Sequence, residues 1–136
     1  MGRRVMLIYL DSVVVIYAVE GAPALQARAK ARLSALHSAG DELATSDLSR
    51  LECLIQPLRK KDVALMAVFL RFLGRTKLLP LPGTVSDNAT EIRAIHNYST
   101  LDSLHLAAAL AGGCGAFLTN DSRLAGFHDL AVEMLA

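Results

Sequence analysis

From Val5 to Leu10 the chain is uninterruptedly apolar and β-prone; it stops at Asp11-Ser12, and apolar residues resume at helical spacing with Val13, Ile16 and Tyr17. So short a run, apolar at every position, suits a strand buried on both faces. The same change of period recurs. Glu42 to Thr45 can form a short strand, after which Ser46 or Asp47 can cap a helix carrying Leu48, Leu51, Cys53 and Leu54 up to Pro57. Lys77 to Leu81 before Pro82 reads as a third strand, Ala116 to Thr119 as a fourth, and Leu130 to Met134 as a short terminal one.

Helical patterns fill the intervals. Pro23 suits a first helical turn, and Leu25, Ala29, Leu33 and Leu36 form an apolar stripe among Arg28, Lys30 and Arg32. Leu65, Phe69, Phe72 and Leu73 share one side of a helix over Asp62 to Gly74. Val85, Ala89, Ile92 and Ile95 suit another, and a last one runs from Ser99-Thr100 to Gly112-Gly113. Strands alternating with helices predict a three-layer α/β/α domain whose central sheet is mostly parallel and four- or five-stranded. At 136 residues the expectation is a single domain over 1–136, and 53% apolar residues exclude a disordered chain.

Cys53 and Cys114 sit in apolar sequence and read as reduced packing thiols rather than a disulfide framework. No apolar run approaches about 20 residues, and Met1 to Arg4 before the first strand is too short for a targeting or membrane segment, so a cytoplasmic location and no membrane partner are expected. Net charge is +1, but residues 1–80 hold 12 basic and 7 acidic side chains against 2 and 6 in residues 81–136. Such asymmetry can set a basic rim beside an acidic site.

In parallel sheets, binding groups gather beyond the carboxyl ends of the strands. Asp11 ends the first strand and Asp121 follows the fourth. Glu52 lies in the early turns of the helix after the second strand, and Asp102 begins the helix that feeds the fourth. All four are therefore expected at one edge. Each also has a local reading: Asp11 as an N-cap, Ser49 to Glu52 and Ser99 to Asp102 as capping boxes, Asn120-Asp121-Ser122 as a turn. Carboxylates brought together repel unless cations or donors compensate, and an all-oxygen set selects Mg²⁺ or Mn²⁺ over Zn²⁺. Such ions assist displacement at phosphorus, which makes phosphodiester hydrolysis the natural reaction.

Four blocks, in order and spanning nearly the whole chain, carry a resemblance: Tyr9-Leu10-Asp11-Ser12 with Val13 to Tyr17; Ser46 to Glu52; Leu101 to Ala109; and Leu118-Thr119-Asn120-Asp121. The chain resembles the PIN domain family, and within it the VapC-type toxin ribonucleases of toxin–antitoxin pairs. The resemblance implies that Asp11, Glu52, Asp102 and Asp121 are the acidic metal-binding and catalytic quartet of a Mg²⁺- or Mn²⁺-dependent endoribonuclease. It also implies a VapB-like antitoxin partner that inserts a basic side chain among the carboxylates. Ser12 stands where family members often have Thr. Ser122 and Arg123 occupy a stretch where many carry a further acid, which bears on a second metal position.

Ser12, Ser49 and Asn120 are candidates for orienting ligands or waters. His105, three residues after Asp102, is placed to lie beside that acid or to pack as an ordinary helix histidine; the packing role is expected. His37, His96 and His128 receive no catalytic role. Arg28, Lys30, Arg32, Arg59, Lys60, Lys61, Arg71, Arg75 and Lys77 are candidate contacts to an RNA substrate. The apolar share predicts a homodimer. A phosphoacceptor receiver domain is disfavoured, because Ser12 follows Asp11 and Leu79-Pro80-Leu81-Pro82 supplies no acid after the third strand. The remaining alternatives are a catalytically inactive PIN-like RNA- or protein-binding module and an RNA-processing nuclease outside toxin–antitoxin systems.

Overall fold

The computed structural model describes residues 5–136; Met1 to Arg4, the short lead-in discussed above, lie outside the described residues. Five strands form one sheet: β1 (Leu7–Leu10), β2 (Glu42–Ser46), β3 (Lys77–Leu79), β4 (Ala116–Thr119) and β5 (Ala131–Met134). Their order is β3-β2-β1-β4-β5 and every neighbouring pair is parallel, with Tyr9 opposite Ala44 on one side and Phe117 on the other. The chain first builds outward from β1 through β2 to β3, then crosses to add β4 and β5 on the far side. The direction of winding therefore reverses between β1 and β4, which opens a crevice at their carboxyl ends.

Helices α1 (Ser12–Glu20), α2 (Pro23–Ser38), α3 (Asp47–Arg59) and α4 (Val63–Gly74) belong to one layer, and α5 (Gly83–His96) and α6 (Thr100–Ala111) to the other. The pleat of β1 divides the core between them, since successive side chains of a strand point to opposite faces. Ile8 and Leu10 pack with Val14, Val15, Ala29, Leu33 and Phe69, while Tyr9 packs with Phe117, Leu106 and Ile92. Tyr9 and Phe117 stack with ring centroids 5.4 Å apart. Phe69, Phe117 and Leu124 are fully enclosed, and each such burial contributes about 1.5–3 kcal/mol.

Several element ends differ from the expectation. Strand β3 stops at Leu79 rather than Leu81, because Pro80 and Pro82 lack the N–H that a ladder needs. Helix α3 runs through Pro57 to Arg59, with the proline ring buried inside the helix. Ile95 is 77% exposed, not buried in α5's stripe. Three residues beyond Ile92 the stripe has turned past the core-facing direction, and His96 instead stacks on Tyr98 and meets Phe127 edge-on. Cys53 and Cys114 are buried free thiols, as expected, and burial pushes their pKa values up to about 12 and about 11. Among the described residues no helix is long and apolar enough to cross a membrane.

Candidate active site

Asp11, Glu52, Asp102 and Asp121 line one cleft of about 410 Å³ at the switch point, together with Ser12, Val13, Ile16, Tyr17, Asn120 and Ser122. Asp11 reaches it from the end of β1. Its N–H still donates to the Leu118 carbonyl of β4 at 2.9 Å, so the last sheet hydrogen bond fixes its backbone. Although Asp11 occupies the N-cap position of α1, its side chain caps nothing there. It accepts instead from Thr119 Oγ1 at 2.6 Å, and Thr119 Oγ1 in turn accepts from the Asp121 N–H at 3.0 Å. One buried hydroxyl thereby joins the two acids flanking the crevice.

Glu52 projects from α3. The box that starts this helix is formed by Ser46 and Ser49, not by Ser49 and Glu52: Ser49 Oγ accepts from the Ser46 N–H, and Ser46 Oγ caps the opposite way. Ser49 is thus used by the helix terminus, while Glu52 is left for the cleft. Its Oε1 accepts from Ser12 Oγ at 2.8 Å and from His105 Nε2 at 2.5 Å. His105 is 1% exposed and packed on Tyr9, whose hydroxyl lies 2.6 Å from Nδ1 and 2.8 Å from Ser46 Oγ. A carboxylate only accepts, so Nε2 carries a proton, and Nδ1 faces the Tyr9 hydroxyl. His105 is a buried helix histidine, as expected, but its acid is Glu52 rather than Asp102. The helical spacing points to Asp102, whereas the acid that meets His105 comes from α3.

Asp102 lies in the first turn of α6, its N–H bonded to Ser99 Oγ at 3.0 Å, so Ser99 does cap that helix. Asp121 initiates a 3-10 turn, Ser122–Gly126, and accepts from the Arg123 N–H at 3.0 Å. The Arg123 side chain folds back on Asp121, with Nη2 2.5 Å from Asp121 Oδ2 and 3.8 Å from Asp102 Oδ2. Arg123 is a site cation that the reading of helix faces passed over. Of the basic residues considered for RNA, Arg32 pairs with Glu133 of β5, and Arg75 and Lys77 flank the start of β3, at the opposite edge of the sheet. The expected basic rim does not draw on these three.

The electrostatics follow from these contacts. Asp11 is 8% exposed, and burial, reinforced by the nearby Asp102 and Glu52 charges, raises its carboxyl pKa despite the Thr119 hydrogen bond and His105. For Glu52, burial pushes upward, but the His105 and Ser12 hydrogen bonds outweigh it and hold the carboxyl below its ordinary value. Hydrogen bonding from Arg123 lowers Asp121 likewise. Burial pushes the Tyr9 phenol up to about 12, so it stays a neutral donor.

Among the described residues, no three of His, Cys, Asp and Glu lie close enough to form a ready-made ligand cage. The cleft is instead an acid-rich lining of oxygen donors whose most buried carboxyl, Asp11, has its pKa raised chiefly by burial. That suits a Mg²⁺-type ion, which binds through one or two carboxylates and keeps several waters. A larger cavity of about 570 Å³ at the amino edge, beside Asp41 and Glu42, gathers no such set from separate elements.

The PIN domain family model matches residues 8–131. The chain belongs to the PIN domain family. The matched span covers all four acids and runs from β1 to the first residue of β5, and the three-layer architecture is that of a PIN domain. Among solved structures, this PIN domain is similar to a VapBC2 complex from Rickettsia felis bound to a promoter DNA fragment (TM-score 0.79, 18% identity, covering 95% of this chain and 98% of that one). It is also similar to a toxin–antitoxin complex from Klebsiella pneumoniae (0.75, 16%, 95% and 98%). A third is the Mycobacterium tuberculosis toxin VapC20, described as cleaving the sarcin–ricin loop (0.69, 19%, 90% and 98%). At these identities the likeness is one of fold. No curated protein matches the chain by sequence.

Proposed function

We propose that residues 1–136 form a single PIN nuclease domain, a Mg²⁺- or Mn²⁺-dependent endoribonuclease that hydrolyses RNA phosphodiester bonds as the VapC-like toxin of a toxin–antitoxin pair. The observation that carries this reading is the meeting of four acids from four separate elements in one cleft at the switch point. Asp11, Glu52, Asp102 and Asp121 would hold the ion, directly or through water. When bound, the ion supplies activation of water and neutralisation of charge at the phosphodiester. Thr119 keeps Asp11 Oδ2 in place, and His105 with Ser12 holds Glu52 Oε1, so each of these acids turns its remaining oxygen to the task.

The same similarities support a VapB-like antitoxin as partner, since two of the structures described above are toxin–antitoxin complexes. Leu51, Ile55 and Leu58 of α3 are exposed and, with Leu54, line a largely apolar groove, which offers surface for a protein partner. A homodimer and a cytoplasmic location complete the proposal.

The decisive experiment maps cleavage of total cellular RNA with and without Mg²⁺ or Mn²⁺. Discrete metal-dependent cuts are expected, and Asp11→Asn and Asp102→Asn should abolish them while leaving the circular-dichroism spectrum unchanged. Undiminished cleavage by both variants would count against the mechanism. The absence of a preformed cage among the described residues favours, as a second reading, a binding module without turnover. RNA that is bound but left intact at every metal concentration would select it.

A further inference from the structure

Arg123 puts a cation of the chain's own at the rim of the cleft, against two of the acids that line it. Its Nε lies 3.0 Å from Asp121 Oδ1 and 3.1 Å from Oδ2, and Nη2 lies 2.5 Å from Oδ2. The same Nη2 is 3.8 Å from Asp102 Oδ2, so one guanidinium spans carboxylates carried by α6 and by the segment after β4. The arm is exposed but its base is not free. The next residue, Leu124, is fully buried, and Phe127 is nearly so. An exposed ion pair of this kind contributes little to stability. Its larger effect is on which oxygens remain available.

Both oxygens of Asp121 are engaged by Arg123, and Asp102 Oδ2 faces the same guanidinium. Glu52 Oε1 already accepts two hydrogen bonds, and Asp11 Oδ2 accepts one from Thr119. Asp11 Oδ1, Glu52 Oε2 and Asp102 Oδ1 remain, enough for one hydrated hard ion. Two ions, about 3.5–4 Å apart where they act together, would need a second oxygen set that includes Asp121. Charge points the same way. Four carboxylates with one divalent ion and one guanidinium leave −1 (−4 + 2 + 1), whereas a second divalent ion would leave +1 and press against the guanidinium.

We infer that Arg123 takes the position a second divalent ion would hold between Asp102 and Asp121, so that the cleft loads one divalent ion and a tethered guanidinium serves its other half. Nη1 makes no bond among the described residues and can donate to a phosphodiester oxygen, for which the planar fork is suited. This rests on the metal-binding reading of the four acids.

The test is a Mn²⁺ titration of RNA-free protein, with free Mn²⁺ read by electron paramagnetic resonance and folding checked by circular dichroism. One Mn²⁺ per chain is expected for the wild type, two for Arg123→Ala, and one again for Arg123→Ala combined with Asp121→Asn. Two ions on the wild type, or one on Arg123→Ala, would overturn the inference and leave the metal reading standing. No Mn²⁺ on the wild type or on any variant would overturn both.

Discussion

Thr119 is the residue on which the two sides of the crevice depend. It is fully buried at the end of β4, takes the Asp121 N–H and gives its own proton to Asp11. Thr119→Val keeps the shape and removes both bonds, so metal-dependent cleavage should fall by about 10–100-fold with an unchanged circular-dichroism spectrum. Asp11 itself carries a stability cost. Its pKa is raised on folding, so the native state holds its proton to higher pH than the unfolded chain, and stability falls as pH rises from the unfolded to the folded pKa. Asp11→Asn should therefore raise the melting temperature of metal-free protein at neutral pH, and Mn²⁺ should stabilise the wild type more than the variant. A lower melting temperature for Asp11→Asn would contradict this account. Glu52 has the opposite sign. Its depressed pKa supplies stability above the unfolded value that is lost as pH falls through the folded value. His105→Leu removes the donor, and the cost at neutral pH should be about 1–3 kcal/mol by urea denaturation, shrinking towards acid.

Within the 3-10 turn after β4, Leu124 is the side chain fully enclosed in the core. Leu124→Ala should destabilise the protein by about 2–5 kcal/mol in urea, because a fully enclosed leucine leaves a cavity when truncated. Elements of this kind were legible in sequence wherever an apolar period met a stop: β1 before Asp11, β4 before Asn120, and α4 capped by Asp62, whose side chain accepts from the Leu65 N–H. Legibility failed where a partner distant in sequence decides. Pro57 looks like a terminator, yet α3 continues because the buried ring is accommodated. Ser49 looks like a partner of Glu52 but answers Ser46 three residues earlier. The four acids could be placed at one edge from strand direction alone, whereas the hydroxyls and imidazole that hold them could not. Tyr9 and His105 are 96 residues apart, and no local spacing announces their contact.

For the molecule as a whole, the exposed apolar residues of α3 set apart a surface that the core does not need. Leu51→Asp combined with Leu58→Asp should change folding stability little, by about 0.5 kcal/mol per site or less, while weakening association with a partner in size-exclusion chromatography with light scattering. Unchanged association would move the interface elsewhere. The order of the sheet has a further consequence, for how the protein comes into being. Its central strand is the first to be made, yet the neighbour that closes the crevice spans Ala116–Thr119, and the last acid stands at Asp121. A nascent chain still inside the ribosome up to that point has Asp11 without its Thr119 clasp and only part of the acidic lining. A chain with the activity proposed here would thus be harmless to the messenger that encodes it until translation has passed residue 121.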